Sequence, residues 1–300
     1  MPMNFGRTAF LLVVLTVILL AMGAAIGGET GVLIAFVIAL IMNGFSYWKS
    51  DAIVLRMQGA ERVDENTGGE LYSIVKQLAH NAELPMPKVY ILKTPQPNAF
   101  ATGRNPENSA ICASTGLLER LTREEVSGVL AHELAHVKNR DTLTMTIAAT
   151  IGGAISMISQ YLQISALFGR RGTGSLGWLG WLAAMLLAPF AAMLAQMAIS
   201  RSREYAADKL GAEICGHPDW LASALVKIDA AVRAGVSNPN AEAHPAHAHL
   251  FIVNPLTGRT TDSWFSTHPN IQNRIALLRK LAQEIAAKGG TAGGAIGRTA

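Results

Sequence analysis

The sequence predicts a mainly α-helical integral membrane protein with a small β-sheet, in which about four transmembrane helices form two hairpins. Three observations predict it. Half of the 300 residues are hydrophobic and 15% are charged, with a mean hydropathy of +0.27, a balance that argues against an ordinary soluble protein. Long uncharged runs come in two pairs. The polar sequence between and after those pairs shows helical periodicity, interrupted by short β-rich stretches.

The first pair is "TAFLLVVLTVILLAMGAAIGG" (8–28) and "GVLIAFVIALIMNGFSYW" (31–48), separated by Glu29 and Thr30. Each run can cross a hydrocarbon core of about 30 Å as a helix. A cleaved signal peptide would have a shorter apolar region and no second run directly behind it. Tyr47 and Trp48 end the second run as interfacial aromatics. The second pair is 142–168 and 176–200, the latter with Trp178, Trp181 and Pro189 as a kink. Buried core helices are the alternative for the more polar 142–168 run. With four spans, Arg7, Lys49, Arg56, Lys138, Arg140, Arg201 and Arg203 fall on one side and only Arg170 and Arg171 on the other. On the assumption of a bacterial inner membrane, that bias places the termini and the polar sequence in the cytoplasm.

The predicted organisation is therefore a hairpin (1–48), a first polar part (49–141), a second hairpin (142–199), a second polar part (200–288) and a disordered Gly-rich tail (289–300). In the first polar part, Leu71, Ile74, Val75, Leu78 and Ala79 recur at helical spacing, closed by Pro85 and Pro87. "KVYIL" (88–92), "NAFATG" (98–103) and "NSAICAST" (108–115) read as extended. The helix of "LTREEVSGVLAHELAHVKNRD" opens with a Thr122–Glu125 capping box and carries Val126, Val129, Leu130, Leu134 and Val137 on its apolar face. The second polar part reads as two helices broken at His217–Pro218, then a loop (235–269) and a last helix, "NIQNRIALLRKLAQEIAAK". Cys112 and Cys215 form no spaced framework. The net charge of +4 is dispersed, and no basic cluster interleaved with aromatics suggests nucleic acid.

The chemistry centres on His132-Glu133-Leu134-Ala135-His136. Residues four apart share a helix face, so His132 and His136 can present imidazole nitrogens to one zinc ion at about 2.0–2.1 Å. Glu133, beside the first ligand, is placed to act on a water that the metal acidifies, and the hydroxide so formed attacks a carbonyl. The alternative is a surface helix with two solvated histidines. A third ligand is needed. The metzincin extension would need glycine at 139 and histidine at 142, and Asn139 and Thr142 exclude it. A distant His, Asp or Glu remains. Glu204 directly follows the second apolar pair, where a hairpin would return the chain to the face it left at Asp141. Its alternative role is a solvated charge paired with Arg201 or Arg203. Asp208, one turn on, could orient a ligand histidine.

Beyond this spacing, the chain resembles the HtpX family of bacterial membrane metalloproteases, relatives of the CaaX prenyl proteases. The likeness rests on an apolar hairpin, "NAFATG", "HELAHVKNRD", a second hairpin, "SREYAAD" and "STHP". It implies zinc ligands His132, His136 and Glu204 in a gluzincin-type domain, Glu133 as general base, and one Zn2+ per chain. It further implies a cytoplasmic active site and cleavage of unfolded or misfolded membrane proteins, with membrane lipid as a further partner. His268 resembles a downstream histidine that stabilises the oxyanion, a donor that hydrolysis needs. Near the N-cap of the last helix, a purely structural histidine would look the same. "NAFATG" and the strand containing Cys112 suggest an exposed sheet edge for a substrate strand, with Asn98 as a substrate contact. Asn98 could equally be a turn residue. The histidines of "AHPAHAH" (244–249) alternate in a loop and suit no rigid site. A CaaX-type processing protease with a narrow substrate is the alternative function, but such relatives should have more spans.

Overall fold

The computed structural model describes residues 2–148, 201–236, 252 and 270–287. Most of the predicted second hairpin, with Arg170 and Arg171, lies outside the described residues, as do the 244–249 histidines, His268 and the tail.

The chain begins with α1 (Pro2–Gln58), which is two helices joined at a break. Gly27 leaves helical geometry and Gly28 takes φ 56°, a left-handed conformation that glycine adopts without steric penalty. The reversal falls just before the predicted Glu29–Thr30 link. Gly23 and Gly31 then pack so closely that neither could carry a Cβ, and Asn43 Nδ2 donates to Thr16 Oγ1 at 2.9 Å. A straight helix would hold residues 27 apart at a distance of about 40 Å, so the chain folds back as a hairpin. Among the described residues, one helical segment, Gly27–Lys49, is long and apolar enough to cross a membrane. Leu33, Ile34, Leu40, Ile41 and Phe45 are all more than half exposed along it.

The helix continues past 48 and delivers Val54 and Leu55 to the sheet. After β1 (Glu61–Val63) come α2 (Gly69–Asn81), β2 (Lys88–Leu92), β3 (Ala99–Gly103) and β4 (Ser109–Ser114). The sheet order is β1-β2-β4-β3, with β2 and β4 parallel and both outer pairs antiparallel. Strand side chains alternate between faces. Val89, Ala99, Ala101, Ile111 and Ala113 face the main core with α2. Leu92, Phe100, Ala110 and Cys112 face the end of α1. Burial on both faces explains why β4 reads as continuous apolar sequence.

After α3 (Thr115–Arg120), α4 (Arg123–Lys138) runs through the centre of the domain. Its Thr122–Glu125 capping box is formed. Every residue from Glu125 to Val137 is buried, more than the single apolar face the periodicity predicts. The additional sides are covered by α5 (Arg201–Cys215) and α6 (Pro218–Arg233), with α7 (Ile271–Ala287) packed on both. Two glycines permit this closeness. A Cβ at Gly128 would meet the α6 backbone at Leu221 N (2.6 Å), and one at Gly211 would meet His132 N and Cα (both 2.9 Å). Both cysteines are free and buried.

Candidate metal centre

One helix stop, one close helix face and one strand position the site. At the end of α4, Asn139 caps the helix and Arg140 takes φ 58°. Arg140 N–H donates to Val137 O (3.0 Å) and Asp141 N–H to His136 O (2.9 Å), the paired bonds of a Schellman motif. This closure folds Asp141 back under the helix, where its carboxylate meets His136 Nδ1 at 3.2 Å. On α5, Glu204, Asp208 and Gly211 share a face at helical spacing, and Gly211 presses that face onto α4 beside His132. β3 lies along the other side of α4, where Ala101 N–H donates to Glu133 Oε2 at 2.9 Å.

His132, His136 and Glu204 converge and are all buried. The two Nε2 atoms are 3.2 Å apart. Glu204 Oε1 lies 3.3 Å from His136 Nε2, and Oε2 lies 3.7 Å from His132 Nε2. Nitrogen and oxygen ligands about 2.0–2.1 Å from a tetrahedral zinc ion sit about 3.3–3.4 Å from one another. The separations of 3.2 and 3.3 Å match that spacing, and the 3.7 Å contact, made by the other Glu204 oxygen, is somewhat longer.

Protonation makes the same point. His132 Nδ1 faces Asp208 Oδ1 at 3.0 Å and His136 Nδ1 faces Asp141 Oδ2. A proton on each Nδ1 satisfies those carboxylates and leaves lone pairs on the facing Nε2 atoms. Two lone pairs at 3.2 Å need a positive charge between them, a proton or a metal ion. Burial opposes charge on His136, but bonds to Asp141 and Glu204 outweigh it and push the imidazole up to about 10. Among the described residues, Arg274 pairs with Asp208 and Glu204, and Arg203 pairs with Asp141 at 2.9 Å.

Burial raises Glu133, offset in part by the two imidazoles and the Ala101 N–H. Burial would raise Asp208 too, but Arg274 and His132 outweigh it and hold the carboxyl low. Glu204 is 3% exposed and turned to both imidazoles, whereas Arg203 meets Asp141. Asn98 is also buried, and its Oδ1 accepts from Ile252 N–H at 3.1 Å, an internal tie. Of the two strands expected to form an exposed edge, β3 lies at the edge but all five of its residues are buried, and β4 with Cys112 is internal. Two donors on the free side of β3 are engaged, Ala101 by Glu133 and Gly103 by Thr146 Oγ1 at 3.4 Å.

Three participants escaped the sequence reading: Asp141, Arg203 as its partner, and Arg274. Asp141 carries a signal in hindsight, because the second residue beyond a left-handed helix stop folds back over the last turn. Arg274 carries another. It falls at the spacing of Ile271, Ile275 and Leu278, a charge on the apolar face of an amphipathic helix.

A central helix bearing His-Glu-x-x-His, completed by a glutamate from the neighbouring helix, defines a metallopeptidase. The chain belongs to peptidase family M48, whose profile matches residues 65–282. Among solved structures it is similar to the crystal structure of S. mikatae Ste24p, at 17% identity and a TM-score of 0.47. The likeness covers 88% of this chain and 62% of that one. M48 metallopeptidases use zinc, and His132, His136 and Glu204 are the residues that would hold it.

Proposed function

We propose that this metallopeptidase is a zinc-dependent endopeptidase of the cytoplasmic membrane that cleaves misfolded or damaged membrane proteins on the cytoplasmic side. The observation that carries the reading is the buried His132–His136–Glu204 triad with Glu133 held beside it by β3. Support for the membrane comes from the hairpin of α1, whose large apolar side chains face away from the rest of the chain, and from the Lys/Arg bias of its flanks. One Zn2+ bound by the triad would supply a Lewis acid that polarises the scissile carbonyl and acidifies a water. The protein's own residues do the rest. Glu133, oriented by Ala101, takes the proton of the attacking water and returns it to the leaving nitrogen. Asp208 and Asp141 keep the two imidazoles in one tautomer. Burial of the site excludes bulk water, which strengthens each of these interactions.

The test uses full-length protein in detergent, with unfolded casein and a prenylated CaaX peptide as parallel substrates. Cleavage of casein that needs zinc, stops with chelator and is absent in Glu133→Ala supports the reading. Casein cleavage that survives chelation or the substitution overturns the mechanism. Cleavage of the CaaX peptide alone would assign the narrower processing role. Active protein should also degrade itself once zinc is restored, and an intact wild-type chain in zinc would count against unrestricted endopeptidase activity.

A further inference from the structure

We propose that Arg274 is a positioning residue of the metal centre, fixing His132 through Asp208 and steadying Glu204 directly. This rests on His132, His136 and Glu204 being the ligand set.

Arg274 comes from α7, far along the chain from both α4 and α5, and is 1% exposed. Its guanidinium grips Asp208 with two parallel bonds, Nε to Oδ2 at 2.8 Å and Nη2 to Oδ1 at 2.6 Å. Asp208 Oδ1 is the same atom that lies 3.0 Å from His132 Nδ1. A bidentate fork fixes the plane of the carboxylate, and the carboxylate fixes the imidazole's tautomer and rotation. The third nitrogen, Nη1, is 3.3 Å from Glu204 Oε2. One planar cation thus braces one histidine ligand and touches the carboxylate ligand.

The guanidinium is itself held. Ile275 beside it and Leu278 one turn further on are buried in the core. Its Nη1 also donates to Ile252 O at 3.4 Å, and Ile252 N–H is tied to Asn98. The second ligand has a matching arrangement: His136 faces Asp141, which Arg203 holds at 2.9 Å. Each imidazole is therefore backed by a carboxylate and each carboxylate by an arginine. A lysine cannot reproduce the fork, because a single ammonium has no planar pair of donors.

Positioning and simple charge predict opposite signs. A cation beside a divalent metal repels it, so if Arg274 were only a charge, its removal would tighten zinc binding. If it positions the ligands, removal weakens binding, by about 10–100-fold for an outer-sphere partner. The experiment measures zinc affinity of the full chain in detergent by competition with a chromophoric chelator. Wild type, Arg274→Gln, Arg274→Lys, Asp208→Asn and the Arg274→Gln/Asp208→Asn double variant are compared, with cobalt absorption reporting ligand geometry. Weaker zinc binding in both arginine variants, an altered cobalt spectrum, and a double variant little worse than Asp208→Asn are expected. Unchanged or tighter zinc binding by folded Arg274→Gln overturns the proposal. Where that variant fails to fold, wild-type affinity and spectrum in Arg274→Lys or Asp208→Asn overturn it instead. Failure of the wild-type chain to bind zinc would sink the ligand set itself, a separate result.

Discussion

Gly211→Ala tests whether the closeness of α4 and α5 is what builds the site. The added Cβ would stand 2.9 Å from both N and Cα of His132, whereas carbon contacts become comfortable near 3.5 Å. The helices must part by about 0.6 Å at the first ligand itself, since the obstacle is backbone and cannot rotate away. Overpacking of this kind costs about 1–3 kcal/mol, and replacing a mid-helix glycine by alanine returns about 0.5–1 kcal/mol. A net loss of roughly 0–2.5 kcal/mol remains, or a Tm lower by up to several degrees. The effect on metal should be more telling. Glu204 lies two turns from Gly211 on the same face, and ligand distances tolerate only about 0.2 Å of error. Zinc affinity should therefore fall by more than the stability loss alone explains. Gly44→Ala, where the Cβ meets open space, is the control and should change neither quantity for the worse. Wild-type Tm and wild-type zinc affinity in Gly211→Ala would refute the packing argument.

Further outcomes follow from the same contacts. Asp141→Asn breaks the brace on His136 and should weaken zinc binding by about 10–100-fold with the fold retained, measured by chelator competition beside circular dichroism. Ile38→Arg places a charge on the exposed apolar face of the first hairpin and should cost about 2.5–3.5 kcal/mol of membrane insertion, seen as protein lost from the membrane fraction. Glu125→Gln should lower stability by roughly 1–3 kcal/mol at pH 7. Burial would raise the Glu125 carboxyl, but Lys227, Ser223 and the Thr122 N–H overcome it and hold it below the ordinary 4.5. A carboxyl lowered by folding contributes stability that is present above its unfolded value and fades as the pH falls through the folded one. The difference between Glu125→Gln and wild type should accordingly shrink in thermal melts as the pH drops below about 4.5. A constant or widening gap would rule out that carboxylate as the source.

What the sequence made legible was local. The capping box, the apolar spacing of α2, the break at His217–Pro218 and the three extended stretches each depend on neighbours within a few residues, and the structure has them all. Strand order was not legible. β3 lies between β2 and β4 in sequence but pairs only with β4, and although an edge place was expected for it, nothing in its composition says which strand it joins. The same divide runs through the site. His132, Glu133 and His136 are one helical turn. Glu204 needed either the return of a hairpin or a resemblance, because its spacing alone fits a solvated charge equally well. Arg274 and the Ala101 N–H depend on tertiary approach, and a backbone donor leaves no trace in sequence.

The buried charges explain why this arrangement needs arginines at all. Four carboxylates lie within the site, Glu133, Glu204, Asp208 and Asp141, all at most 5% exposed. Left unpaired in a low dielectric, such groups would take up protons and lose the negative charge that favours a metal. Arg274 and Arg203 answer that need by gripping the supporting carboxylates: Asp208 and Asp141 face the Nδ1 side of each imidazole, while the Nε2 atoms face each other and Glu204. Arg274 also lies 3.3 Å from Glu204 Oε2 and 3.4 Å from His132 Nε2, so it neighbours two ligand groups directly as well as bracing one through Asp208. Sequence separation follows from the same geometry. The bracing cations must approach from outside the helix that carries the histidines, so they come from α5 and α7, and only the folded chain brings them to His132 and His136.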